Sequence, residues 1–136
     1  MLHRSRAFPL TIWMISLTSP LVGQETVRII QTNAAGDSVH IIDPRTNEVV
    51  DVIPGISIAH GVTSAPDGSA LYFSNEVDHT LDIVPMAELR VVRQIPLTRR
   101  PNNIAITPDG RKVCVAITGE DAFVDVIHLD VECSSF

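Results

Sequence analysis

Residues 64–75 read SAPDGSALYFSN, and residues 106–116 read ITPDGRKVCVA. Both stretches pass through Pro-Asp-Gly into an apolar run, and Pro66 and Pro108 stand 42 positions apart. In such a turn proline presets φ at the first central position and aspartate suits the second. Glycine then takes the left-handed conformation that returns the chain to antiparallel pairing. Pro66, Asp67 and Gly68, with Pro108, Asp109 and Gly110, are therefore read as structural turns. The same turn at a fixed interval is the mark of a repeat.

The repeat extends outward from the turns. At an offset of 42, His60-Gly61-Val62 falls on Asn102-Asn103-Ile104, and Leu71-Tyr72-Phe73-Ser74 falls on Val113-Cys114-Val115-Ala116. In the other direction Asn33 meets Asn75, and Val39-His40-Ile41-Ile42 meets Leu81-Asp82-Ile83-Val84. Glu48 to Pro54 likewise meets Arg90 to Pro96. The third copy carries one extra residue in a loop, so Val124-Asp125-Val126-Ile127 is its matching run.

Each unit consists of short β-branched runs separated by turn residues such as Asp43-Pro44, Thr46-Asn47 and Pro54-Gly55. Runs of this length suit strands and are too short for helices. Four strands in ~42 residues is the size of one propeller blade. The chain is thus expected to be all-β, an incomplete β-propeller of four-stranded antiparallel blades. Strands are placed at 27–32, 39–43 and 49–53, then 59–65, 70–74, 80–84 and 90–95, then 103–107, 112–118 and 123–129. Residues 24–136 form the partial propeller. Blade 1 (27–53) lacks its innermost strand, blade 2 (58–96) is whole, and blade 3 (101–130) lacks its outer strand.

Composition agrees with a single folded domain. The chain has 136 residues, 45% of them apolar and 19% charged, which excludes disorder over most of its length. A net charge of −6 with only small basic clusters argues against nucleic-acid binding. The first 23 residues differ from the rest. His3, Arg4 and Arg6 precede an apolar stretch from Phe8 to Val22, and no acidic residue appears before Glu25. This is the layout of a signal peptide, expected at 1–23, and it implies a secreted or periplasmic protein with no other membrane association. Export permits a disulfide between Cys114 and Cys133, but two cysteines make no framework. Cys114 lies in an apolar strand run and is expected to be a buried thiol.

Residues 37–75, DSVHIIDPRTNEVVDVIPGISIAHGVTSAPDGSALYFSN, resemble the YVTN-type β-propeller repeat. Tyr72-Phe73-Ser74-Asn75 stands where that family has its name motif. Ile42-Asp43, the Thr46-Asn47 turn and His60-Gly61-Val62 also fit. The resemblance covers roughly residues 27–130 and departs in the third copy, where Cys114-Val115-Ala116-Ile117 replaces the motif. The leader, the repeat and the missing catalytic set point to a non-catalytic binding or scaffold role, and the resemblance implies a ring of about seven blades. The alternatives it brings are a haem d1-type or other oxidoreductase-associated propeller and a lactonase-like hydrolase. Two and a half blades cannot close a ring. Either they are a fragment of a longer propeller, or copies of the chain associate through the open blade faces, three of them for instance.

The chemistry-bearing residues are few. His60 stands at the start of an innermost strand, where it can face the channel mouth. Gly61, Asn102 and Asn103 occupy the neighbouring and equivalent positions. These four are the candidate ligand-binding residues, for a small ligand or protein partner that the sequence does not identify. His40, Asp82 and Asp125 share one repeat position and could form a polar ladder, or simply face solvent. Asn33 and Asn75 are expected to bond local backbone at strand ends. His79 and His128 have no partner at metal-ligand spacing. No nucleophile elbow, phosphate loop or carboxylate pair is present, so no catalytic residue, metal or cofactor is assigned.

Overall fold

The structure, a computed structural model, describes residues 26–129. The leader expected at 1–23 and Cys133 lie outside the described residues. Ten strands follow one another: β1 (Ile29–Thr32), β2 (Ser38–Asp43), β3 (Glu48–Pro54), β4 (Ala59–Ser64), β5 (Ala70–Asn75), β6 (Thr80–Pro85), β7 (Arg93–Pro96), β8 (Pro101–Ile106), β9 (Lys112–Ile117) and β10 (Phe123–His128). They form three antiparallel sheets, β1-β2-β3, β4-β5-β6-β7 and β8-β9-β10, each a simple up-and-down meander. Among the described residues no helix is long and apolar enough to cross a membrane.

The hairpin turns are built as their residues dictate. Gly68 N–H donates to Ala65 O at 2.9 Å and Gly110 N–H to Thr107 O at 2.8 Å. Both glycines sit at positive φ, +71° and +72°. Asp67 Oδ1 accepts the Ser69 N–H at 2.9 Å, and Asp109 Oδ1 accepts the Arg111 N–H at 3.1 Å. These bonds consume each aspartate locally. The Ser69 hydroxyl on Asp67 and the Thr107 hydroxyl on Asp109 hold both carboxyls below their usual pKa.

Two apolar layers lie between the sheets. Val39, Ile41 and Ile53 of the first sheet pack against Leu71, Phe73 and Val84 of the second. Tyr72 and Leu81, on the opposite face of that second sheet, pack with Val113, Val115 and Ile117 of the third. Alternation along β5 explains both. Leu71 and Phe73 point backward, Tyr72 and Ser74 forward, and the whole run from Leu71 to Asn75 is buried. A strand buried on both faces reads as a continuous apolar run because each side meets another blade.

Some strand ends shift by one or two residues, β1 beginning at Ile29 and β8 running Pro101–Ile106 where 103–107 is expected, and the chain departs further in two places. The outer strand β7 begins at Arg93, not at residue 90. Glu88 and Leu89 N–H groups both donate to Pro85 O at 3.0 Å, closing a tight turn with Leu89 at φ +50°. Asn47, 42 residues earlier, holds the same conformation at φ +60°. Asparagine tolerates this region and leucine does not; Leu89 is held there by packing against the first apolar layer. Cys114 is half-buried rather than buried. It points forward from β9, where no further sheet stands among the described residues.

Candidate functional site

The innermost strands β4 and β8 run side by side across the boundary between the second and third sheets. Each carries a bulge near its start. In β4, Ala59 pairs with Asn75 and Gly61 with Ser74, leaving His60 unpaired between them. In β8, Pro101 pairs with Ile117 and Ile104 with Val115, so Asn102 and Asn103 fall in the interruption. Bulges re-aim side chains and free backbone groups. His60, Asn102 and Asn103 thus stand out of regular pairing at one rim of the molecule.

The freed backbone groups are satisfied through one hydroxyl. Ser74 is fully buried, accepts the Gly61 N–H at 2.8 Å, and donates to Asn102 O at 2.5 Å. It therefore ties the bulge of β4 to the bulge of β8 across the blade boundary. Gly61 is where the two strands come closest. A Cβ there would lie 2.8 Å from Ile104 Cγ2 and 3.0 Å from Asn102 O, distances no side chain sustains. Gly61 accordingly serves strand approach, and contributes no side chain to a ligand. Ile58, two residues before His60, takes φ +48°, a strained value for a β-branched residue.

Above the bulges lies an ionic cluster that sequence reasoning missed. Glu76 follows β5 directly and its side chain is only 10% exposed. Its Oε1 receives the Arg100 guanidinium. His60 Nε2 lies 3.0 Å from Oε2, and Oε2 is buried without a hydrogen-bond partner. Arg100 and His60 remain 61% and 39% exposed, so the cluster shows the guanidinium and the imidazole to solvent and buries its carboxylate. Thr118 holds the chain at Arg100, donating both its N–H and its hydroxyl to Arg100 O at 3.0 and 3.1 Å. Arg99 turns aside and lies over the Phe123 ring.

The three repeat-equivalent polar residues do not form a ladder. Asp82 is fully buried and accepts from Asn75 Nδ2 at 2.9 Å, the Thr80 hydroxyl at 2.5 Å and Gln94 Nε2 at 3.1 Å. Asp125 accepts the Thr98 N–H and hydroxyl at 2.8 and 2.9 Å. His40 sits on β2, paired with Val52 and Gln31. A sheet intervenes between each position and the next. Asn33 donates to Ser38 O and Asn75 Oδ1 accepts the Asp78 N–H at 3.1 Å, local backbone bonds as their strand-end positions suggest, and Asn75 Nδ2 donates in addition to the Asp78 and Asp82 carboxylates. Asp43 takes two guanidinium bonds and the N–H from Arg45, with Arg28 at 3.6 Å, and its carboxyl is held down to about 2. His79 and His128 are exposed, and among the described residues no group of three His, Cys, Asp or Glu could hold a metal.

At the opposite end of the inner strands, a cleft of about 250 Å³ lies beside the two Pro-Asp-Gly turns. Asp67, Tyr72 and Asp109 line it. Its carboxylates are those already bonded within their own turns.

Meanders packed face to face, with neighbouring inner strands and a repeated inner hairpin, define an incomplete β-propeller. Solved structures agree. The chain aligns with Kuenenia stuttgartiensis hydrazine synthase at TM-score 0.70 and 27% identity, over 75% of this chain and 29% of that one. Dihydro-haem d1 dehydrogenase NirN, solved in complex with DHE, aligns at 0.61 and 23%, over 74% and 22%. A functionally unknown protein from Desulfotomaculum acetoxidans aligns at 0.63 and 18%, over 76% and 34%. The chain therefore spans about a third of these structures or less. No protein-family model and no curated protein matches it.

Proposed function

We propose that this chain is a YVTN-type propeller module, exported to the periplasm or beyond, that binds an anionic small ligand at its rim without chemistry of its own. The observation that carries the reading is the His60–Glu76–Arg100 cluster set over two adjacent bulges. Glu76 holds the Arg100 guanidinium and lies 3.0 Å from the His60 imidazole, and both of these side chains stay open to solvent. Asn102 and Asn103 add amides beside them, able to donate and accept. An acid group on a ligand meets Arg100 and His60 together, and the amides orient the remainder. The apolar leader Phe8–Val22 behind Arg4 and Arg6 supports export.

Calorimetric titration with succinate and with inorganic phosphate tests the reading. At least one of the two should bind at millimolar or better. Arg100→Ala and Asn102→Ala should each weaken it about tenfold, the scale of a lost charged hydrogen bond. Failure of both probes to bind the folded protein sinks the proposal. The same sample titrated with haem addresses the second reading, which rests on the exposed His60 imidazole in its bulge. A Soret band that disappears in His60→Ala would replace the anion site by a haem site.

A further inference from the structure

Each blade has a rear face, toward the preceding sheet, and a forward face, toward the next. The chain contains this contact twice. The forward face of the first sheet (Val39, Ile41, Ile53) meets the rear face of the second (Leu71, Phe73, Val84). The forward face of the second (Tyr72, Leu81) meets the rear face of the third (Val113, Val115, Ile117). Among the described residues two faces are left without a partner. On the forward face of the third sheet, Val124 and Val126 are 57% and 51% exposed, with Cys114 and Ala116 beside them on β9. On the rear face of the first, Ile29, Val50 and Val52 are similarly open.

These surfaces are not arbitrary apolar patches. Val124 and Val126 are the repeat equivalents of Leu81 and Ile83, which are covered by the third sheet. Ile29 is the equivalent of Leu71, which is covered by the first. What covers such a face is therefore written inside the molecule: the opposite face of another blade of this repeat. We propose that a second copy of this chain supplies it, the forward face of each copy's third sheet seating on the rear face of the other's first. The contact is head-to-tail, and such contacts make closed rings when the rotation closes and filaments when it does not. The number follows from the three sheets that the described residues of each copy bring to the joint. Two copies give a ring of six blades, inside the natural range of four to eight, whereas three copies give nine and fall outside it.

The edges fit this arrangement as well. β10 and β1 are the outer and inner edges of incomplete blades, so joining two copies covers faces and leaves those edges free. The joint is apolar on the forward side, since Ala116 stands where Ser74 makes its hydroxyl tie. Its strength accordingly rests on packing of Val124 and Val126, and a charge placed there is poorly tolerated.

Light scattering on the full chain at roughly 10 μM, well above the dissociation constant of a stable interface, measures the mass. Two copies per particle are expected. Val126→Glu and Ile29→Glu change exposed residues, so each should keep its β-sheet circular dichroism while falling to one copy. A mixture of the two variants retains one intact head-to-tail joint and should regain two-copy particles. A wild-type particle of one chain, a polymer of indefinite length, or a dimer unmoved by both substitutions would each overturn the proposal. So would a mixture that stays monomeric while both variants are folded.

Discussion

Ser74 performs the task that the rim depends on. Its single hydroxyl proton goes to Asn102 O, and its lone pair receives the N–H that the His60 bulge leaves outside the ladder. Truncation to alanine leaves a buried donor and a buried acceptor with nothing to bond. The cost of such orphaned groups is about 1–3 kcal/mol. Ser74→Ala should lower unfolding stability by that amount in urea titration. Ser69→Ala, which removes an exposed turn hydroxyl, should cost less than about 0.5 kcal/mol. Equal losses from the two would mean that the inter-blade tie contributes nothing. The serine was visible in the sequence as the third position of Tyr72-Phe73-Ser74-Asn75, but its role was not. A hydroxyl's partner 28 residues away depends on how two sheets abut, and no periodicity records that. Glu76 and Arg100 stayed hidden for the same reason. Each is an ordinary charged residue beside a strand end until β4 and β8 are laid side by side.

At the level of elements, the inner hairpin was the most legible part of the chain. Proline, aspartate and glycine each have one conformational reason to stand where they do, and the two copies agree to within 1° at their glycines. The outer strand was the least legible. Arg90-Val91-Val92 carries good strand residues, yet the turn closed on Pro85 O delays cross-strand bonding until the Val92 N–H, which donates to Ile83 O at 3.0 Å, and β7 itself begins at Arg93. The bulges of β4 and β8 were likewise unreadable, although the residues within them were picked out by position. The two glycine turns differ in one measurable respect. A Cβ on Gly68 meets nothing within 4 Å, whereas one on Gly110 lies 3.3 Å from Pro66 Cδ. Both alanine substitutions incur the left-handed penalty of roughly 1–2 kcal/mol. Gly110→Ala must in addition push the two turns apart, so it should be the more destabilising of the pair in parallel denaturant melts. The reverse order would show that the turns do not touch in solution.

For the whole molecule, the repeat tells which parts are held from both sides and which from one. The middle sheet has a neighbour on each face, and β5 within it is buried along five consecutive residues. Among the described residues the outer sheets have one neighbour each, and their free strands β1 and β10 show alternate exposure. Protection against amide exchange follows the free energy of the opening that exposes each bond, and that energy rises with two-sided burial. Residues 70–85 should therefore exchange slowest under native conditions, and 29–32 with 123–128 much faster. A bound second copy would cover the open faces but would leave the outer edge of β10 unpaired. It would slow exchange in β9, whose forward side chains Cys114 and Ala116 it covers, more than in β10. The comparison is best made by mass spectrometry at a concentration that favours association and again after Val126→Glu. Uniform exchange across all ten strands would mean the sheets open together, and the blade would lose its standing as the unit from which this fold is assembled.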